Sequence, residues 1–239
     1  MRGPSVDLGL TVCAFMATRR AARQIEIPFR TRGGARPGAG RPPKGEKAGV
    51  PHRSRGKLSG AEPVLVTMKV RAGITSLRGR SAFDRVLRAL RRMRSELGAR
   101  VTHYSVQRDH VHLIVESPHA AGLSRGMKGL AVRIARGVNR AMNRTGSVFA
   151  DRFHDRVLRS PRQVRNALAY VLCNARKHGL APSRSGWLDP HSSAAAFDGW
   201  RAHVPTVSDA VVPPSTWLLR VGWRRGGLLD VDHRPGPMS

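Results

Sequence analysis

The chain has 239 residues, enough for one domain of ordinary size with tails or for two small ones. Lys and Arg number 43 against 15 acidic residues, giving a net charge of +28 and a pI near 11.9. Such an excess opposes compaction unless a polyanion neutralises it, so nucleic acid is the leading partner and binding should depend steeply on salt. The two cysteines, Cys13 and Cys173, exclude a disulfide framework or a Cys-based zinc site, and no apolar run is long enough to span a membrane.

Residues 8–17 are apolar but short, and a basic tract beginning at Arg19-Arg20 follows them, which argues against a signal peptide. A cytoplasmic, nucleoid-associated protein is the expectation. Met16 would make a natural start, leaving 1–15 as an over-called leader. Residues 30–60 are poor in bulky apolar groups and rich in Gly, Pro, Arg and Lys, and cannot bury enough surface to offset their ordering entropy. Within them Gly40-Arg41-Pro42 resembles the core of an AT-hook, which slips an arginine into a narrow minor groove. The plainer reading is a solvated basic linker with non-specific phosphate affinity. Residues 1–60 are therefore read as a basic, largely disordered leader, with Arg41 as a candidate DNA contact.

Regular patterning starts at Pro63. Val64, Val66, Met68 and Val70 alternate with Leu65, Thr67, Lys69 and Arg71, predicting a strand. Ser81 is placed to cap a helix, with Asp84 at the third position. Phe83, Val86, Leu87, Leu90, Met93 and Leu97 form its apolar stripe, and Gly98 ends it. Its arginines read mainly as a solvated outer face.

Residues 100–107 and 110–117 then alternate as two strands joined by an Arg108-Asp109 turn, which sets Gln107 opposite His110 and Ser105 opposite His112. In that register Thr102, Tyr104 and Val106 share a core face with Val111, Leu113 and Val115. The other face is polar and carries His103, Ser105, Gln107, His110 and His112. A second helix is predicted over about 122–143, with Leu123, Met127, Leu130, Ile134, Val138 and Ala141 inside. Its outer positions include Arg125, Lys128, Arg133, Arg136 and Arg140, candidate nucleic-acid contacts. Residues 147–159 read as a less regular fourth strand.

The last helix of this region has Ser160 at the cap, Pro161 at the first position, Gln163 completing a capping box and Gly179 as its stop. Val164, Ala167, Leu168, Val171, Leu172 and Ala175 form its apolar face. At 100° per residue Tyr170 lies about 160° from Leu168, so it points off that stripe. Asn166, Cys173, Asn174 and Lys177 share its side, with Asn174 one turn on. The element order suggests an α+β fold, a ferredoxin-like or RRM-like antiparallel sheet with helices packed on it.

Asp109-His110-Val111-His112-Leu113-Ile114-Val115 resembles the metal-binding strand of the single-tyrosine HUH transposases. The segment from Tyr170 to Gly179 resembles their tyrosine helix, in the branch associated with repetitive extragenic palindromes. The resemblance covers residues 63 to about 180 and implies a catalytic domain at 61–180. It also implies Tyr170 as nucleophile and His110, His112 and Asn174 as ligands of a divalent ion, with Mg or Mn taken from the family. Ligand type alone would accept Zn or Ni equally. The implied reaction is cleavage and rejoining of single-stranded, hairpin-forming DNA through a 5′-phosphotyrosine. A phenol with an intrinsic pKa of about 10 needs a nearby cation to react at neutral pH, and Lys177 is a second candidate beside the metal.

Residues 181–239 form a C-terminal extension holding Trp187, Trp200, Trp217 and Trp223, and residues 217–223 suit a short helix. Aromatics beside arginines can stack bases, but packing onto the core is the commoner use. Relatives form dimers, so both a homodimer with a composite site and a monomer with a folded-back helix remain open. Two other classes compete with the enzyme. One is a non-catalytic DNA-binding regulator derived from such a transposase. The other is an RNA-binding module, disfavoured because the central strands offer Tyr104 alone for stacking.

Overall fold

Alternating side chains produce four strands, β1 (Val64–Lys69), β2 (Arg100–Val106), β3 (His110–Glu116) and β4 (His154–Val157). They form one antiparallel sheet in the order β2-β3-β1-β4. Helices α1 (Arg80–Arg92), α2 (Ala120–Ala141) and α3 (Pro161–Leu172) complete the expected ferredoxin-like α+β order, and α4 (Asn174–Lys177) and α5 (Trp217–Arg220) are single turns. The computed structural model describes residues 57–93, 98–204 and 210–236. The basic leader up to residue 56, with Arg41, lies outside the described residues.

One sheet face meets α1 and α2. Val64, Val66 and Met68 of β1, Tyr104 and Val106 of β2, and Val111, Leu113 and Val115 of β3 pack with Val86 and Leu90 of α1 and with Leu123, Met127, Leu130, Ile134 and Val138 of α2. All are buried, and each contributes about 1.5–3 kcal/mol by leaving water. Gly126 and Gly137 let α2 approach closely, since a Cβ there would stand 2.4 Å from the Ala99 Cβ and 2.7 Å from the Arg85 Cβ.

The β2–β3 register follows the alternation near the turn. Ser105 pairs with His112, and the Gln107 amide donates to the His110 carbonyl at 2.8 Å. Further along, a bulge between Val101 and His103 shifts the pairing, so Val101 opposes Val115 and takes the core position expected for Thr102. Thr102 instead donates its hydroxyl to the Ile114 carbonyl at 3.1 Å. One inserted residue reverses the faces beyond it.

The helix starts also depart from the expected caps. Gly79, extended and without a side-chain bond, caps α1, and Ser81 lies inside the first turn. The cause is Arg78, whose guanidinium is anchored to the Val106 carbonyl and to Asp189, fixing where the chain can turn into helix. Helix α2 begins at Ala120, capped by His119, whose Nδ1 accepts from the Gly122 amide at 2.9 Å. On α3 the Ser160 cap stands as predicted.

The second face, expected to be polar, is roofed. Val164, Ala167, Leu168, Val171 and Leu172 of α3 share a buried cluster with Leu65 and Ile114. Phe197, Trp200, Leu219, Trp223, Leu229 and Val231 of the C-terminal extension join the same cluster. Trp200 donates its indole N–H to the Ala194 carbonyl at 2.9 Å, and Trp223 donates to Leu219 at 3.0 Å. These two tryptophans are packing residues, as the commoner reading had it. Trp217 remains 50% exposed, with the Arg225 guanidinium 5.0 Å from its ring.

Polar ties fix the extension. Arg78 and the buried Asp189 form a two-pronged pair with both bonds at 2.8 Å. Glu116, at the end of β3, accepts from the Ser215 amide and hydroxyl and from the Thr216 amide. Burial acts to raise the Asp189 carboxyl, but hydrogen bonds from His191 and Arg78 and the guanidinium charge outweigh it and hold it below the usual range. A depressed carboxyl contributes stability above its unfolded pKa of about 3.9, and that contribution fades as pH falls through the folded value. Asp189→Ala strands a buried guanidinium and is expected to lose about 3–5 kcal/mol in urea unfolding at pH 7. The gap between variant and wild type should narrow in acid. An unchanged midpoint would remove this pair from the fold's supports.

Candidate active site

The site forms where β3 passes beneath the end of α3. His110 and His112, two apart on β3, project from one face with ring centroids 4.5 Å apart. Tyr170 meets His112 edge-on at 4.9 Å. The Lys177 ammonium stands 4.8 Å from the Tyr170 ring centroid, and the His178 ring is 5.5 Å from that of His110. Tyr170 is half-buried and packs against the α3 cluster rather than pointing away from it, and there its ring meets His112.

Each imidazole is held through Nδ1. In His110 it lies 2.7 Å from the Asp109 carboxylate, and in His112 it lies 2.9 Å from the Thr67 hydroxyl. Thr67 opposes His112 in the β1–β3 register. With Nδ1–H donating to these oxygens, both Nε2 atoms keep their lone pairs, the arrangement that suits a metal-binding histidine. The Nε2 of His112 is buried and has no hydrogen-bond partner. Burial first, then the charges of His110, His178 and Lys177, push the His112 pKa down to about 3, so the ring is neutral at physiological pH. His178 is also lowered, by burial and then by His110 and Lys177. For Asp109, burial is the largest single effect and pushes the carboxyl upward, but hydrogen bonding to His110 and nearby positive charge together outweigh it and hold the group below the usual range.

The helix carrying Tyr170 is not continuous. It ends at Leu172, Cys173 sits at φ −104° and ψ 12°, and the separate turn α4 begins at Asn174. The expected placement of Asn174 one regular turn beyond Tyr170 therefore does not hold. Asn174 is fully buried, and neither its amide oxygen nor its amide nitrogen has a partner. Burial raises the neighbouring Cys173 thiol to about 12, which makes it a packing residue rather than a rival nucleophile.

The α2 cations lie on the opposite layer of the sheet. Arg125, Lys128, Arg133 and Arg136 line a shallow groove on the outer surface of α2, and Arg140 is exposed in its last turn. Sequence reasoning missed Thr67, which the β1 alternation combined with the strand register would have found. It also missed His178, which no local pattern marks. Among the described residues, no three His, Cys, Asp or Glu side chains are grouped to hold an ion by themselves. A third protein donor would have to be of another kind, and the unpartnered Asn174 carboxamide fits that description.

Among the described residues no helix is long and apolar enough to cross a membrane. Residues 64–167 match the family model described as transposase, IS200 like, a match that stops three residues before Tyr170. No curated protein matches the chain. Among solved structures, a REP-associated tyrosine transposase bound to a REP hairpin is similar at 19% identity and a TM-score of 0.48, over 60% of this chain and 82% of that one. A bacterial tRNA(His) guanylyltransferase-like protein in complex with GTP is similar at 14% identity and a TM-score of 0.37, over 49% and 64% of the two chains. The segment that builds the sheet and carries both histidines is thus the part of this chain that is similar to the IS200-like transposases.

Proposed function

We propose that the protein cleaves and rejoins single-stranded, hairpin-forming DNA, with Tyr170 as the nucleophile and a 5′-phosphotyrosine as the intermediate. The match of residues 64–167 to the IS200-like transposase model supports DNA strand cleavage and transfer as the class of activity and DNA as the partner. The observation that supports the finer reading is the edge-on approach of Tyr170 to His112 at 4.9 Å, with the Nε2 of that imidazole buried without a partner. A buried nitrogen left unpaired costs about 1–3 kcal/mol, and a bound cation would offset that cost at His112.

His110, His112 and the Asn174 carboxamide oxygen would hold a divalent ion such as Mg or Mn, which when bound screens the non-bridging oxygens of the scissile phosphate and makes its phosphorus more electrophilic. Tyr170 supplies the hydroxyl oxygen. Its bond to phosphorus forms as the bond to the 3′-oxygen breaks, and the departing strand leaves as a 3′-hydroxyl. Lys177, close over the phenol ring, screens the charge that develops on that oxygen. Asp109 and Thr67 position the two imidazoles. The basic surface of α2 takes the phosphates of the stem.

Incubation with a hairpin from the flanks of the coding region and Mg or Mn should give a covalent protein–DNA adduct on denaturing electrophoresis. EDTA should prevent it, and Tyr170→Phe should lower it by on the order of a thousandfold or more while hairpin binding persists. Adduct formation by the phenylalanine variant would transfer the nucleophile elsewhere. Thr67→Val removes the partner of His112 Nδ1 and should weaken Mn affinity about 10- to 100-fold by titration calorimetry. Unchanged affinity would exclude His112 from the ligand set. Tyr170 and His112 meet within one chain, so a mixture of Tyr170→Phe and His112→Ala proteins should stay inactive. Restored cleavage would mean that the two side chains are exchanged between subunits.

A further inference from the structure

A second feature opens at Tyr170 that the cleavage chemistry does not use. A cleft of about 350 Å³ runs along α3 from Tyr170 back past Asn166 to Arg162, between Arg156 on β4 and the C-terminal residues His233, Pro235 and Gly236. Arg162, Asn166 and Tyr170 are spaced by four and so fall on one side of the helix. The cleft is lined by arginines and a histidine and by no carboxylate, so its ligand is anionic. Its volume is at the low end for small-ligand sites, about 300–1,000 Å³, which suits one nucleotide and excludes a duplex stem.

The lining groups divide into those already engaged and those that face the cleft. Arg165 donates Nε–H to the Gly227 carbonyl at 3.0 Å and Nη2–H to Leu228 at 3.4 Å, so it fixes the wall. The amide oxygen of Gln163 accepts from the Arg159 amide at 2.7 Å. Asn166 is exposed one turn before Tyr170, and Arg162 is exposed one turn earlier still. A carboxamide offers a donor beside an acceptor, the pattern that pairs with a base edge, whereas arginine pairs with phosphate.

We propose that this cleft holds the nucleotide adjoining the scissile phosphate, with Arg162 binding its backbone phosphate and Asn166 reading its base. Asn166 is then a specificity-determining residue for the cut site, one turn from the nucleophile. The assignment rests on Tyr170 as the attacking group, because that places the cleft beside the bond that breaks. The C-terminal extension, through His233 and Pro235, forms the opposite wall and confines the strand to the α3 side.

Two measurements test this on the full chain. The first is adduct formation with hairpin substrates in which each nucleotide flanking the cut is varied in turn. The second is fluorescence anisotropy of a short unstructured single strand in EDTA, where no cleavage occurs. Asn166→Ala should reduce the ratio between best and worst base at one flanking position about tenfold, and Asn166→Asp should change which base is best. Arg162→Gln should weaken short-strand binding several-fold, whereas Arg88→Gln, on the exposed side of α1, should not change it. Wild-type base preference and wild-type short-strand affinity in both Asn166 and Arg162 variants would overturn the proposal. Absence of any adduct with wild-type protein would instead defeat the cleavage reading, and reduced short-strand binding by Arg162→Gln would still support the cleft.

Discussion

Leu65 and Ile114 are apolar side chains on the face of the sheet that also carries Thr67 and His112. A face of mixed character cannot be left to water without exposing both of them, and the chain covers it with the apolar side of α3. The same contact sets the chemistry. Once Val164, Ala167, Leu168 and Val171 are seated, the rotation of α3 is fixed and Tyr170 is delivered to the edge of His112. An ordinary burial requirement therefore positions the proposed nucleophile, and no flexible loop is involved. Precision follows because a packed helix cannot rotate without opening a cavity.

The covering also changes the electrostatics of the histidines. His112 is almost wholly removed from water, so its charged form is disfavoured and the neutral ring persists far into acid. His110 is less enclosed and borders Asp109. For the neutral His112 ring, the Thr67 partner at Nδ1 leaves the Nε2 lone pair open, and Asp109 holds the His110 ring through its own Nδ1. The Asn174 amide adds two further unpaired atoms nearby in sequence. The break at Cys173 removes Asn174 from the regular register of α3, and the residue is buried with its hydrogen-bonding capacity intact.

Much of this was legible in the sequence because period-two and period-3.6 patterns are local. Val111, Leu113 and Val115 against His112 and Ile114 placed the sheet's two faces, and Ser160 with Pro161 located the start of α3. What escaped was set by tertiary contacts. The bulge at Thr102 has no glycine to announce it, and the start of α1 is fixed by the bond between Arg78 and Asp189, 111 positions apart. The break at Cys173 likewise lacks a glycine or proline. Thr67 became identifiable as a partner of His112 only through the pairing of β1 with β3, which neither strand specifies alone.

The C-terminal extension shows how far such non-local terms reach. Its composition allows aromatics that stack bases but more commonly means packing onto the core, and Trp200 and Trp223 are buried in the cluster that α3 forms, with their indole N–H groups bonded to backbone carbonyls. A buried indole cannot also be a platform for a nucleotide. Helix α3 is consequently gripped from both sides, by the sheet through Leu65 and Ile114 and by the extension through Trp223 and the Arg165 bonds to Gly227 and Leu228. The same grip keeps Tyr170 at His112, with the extension serving as the outer clamp.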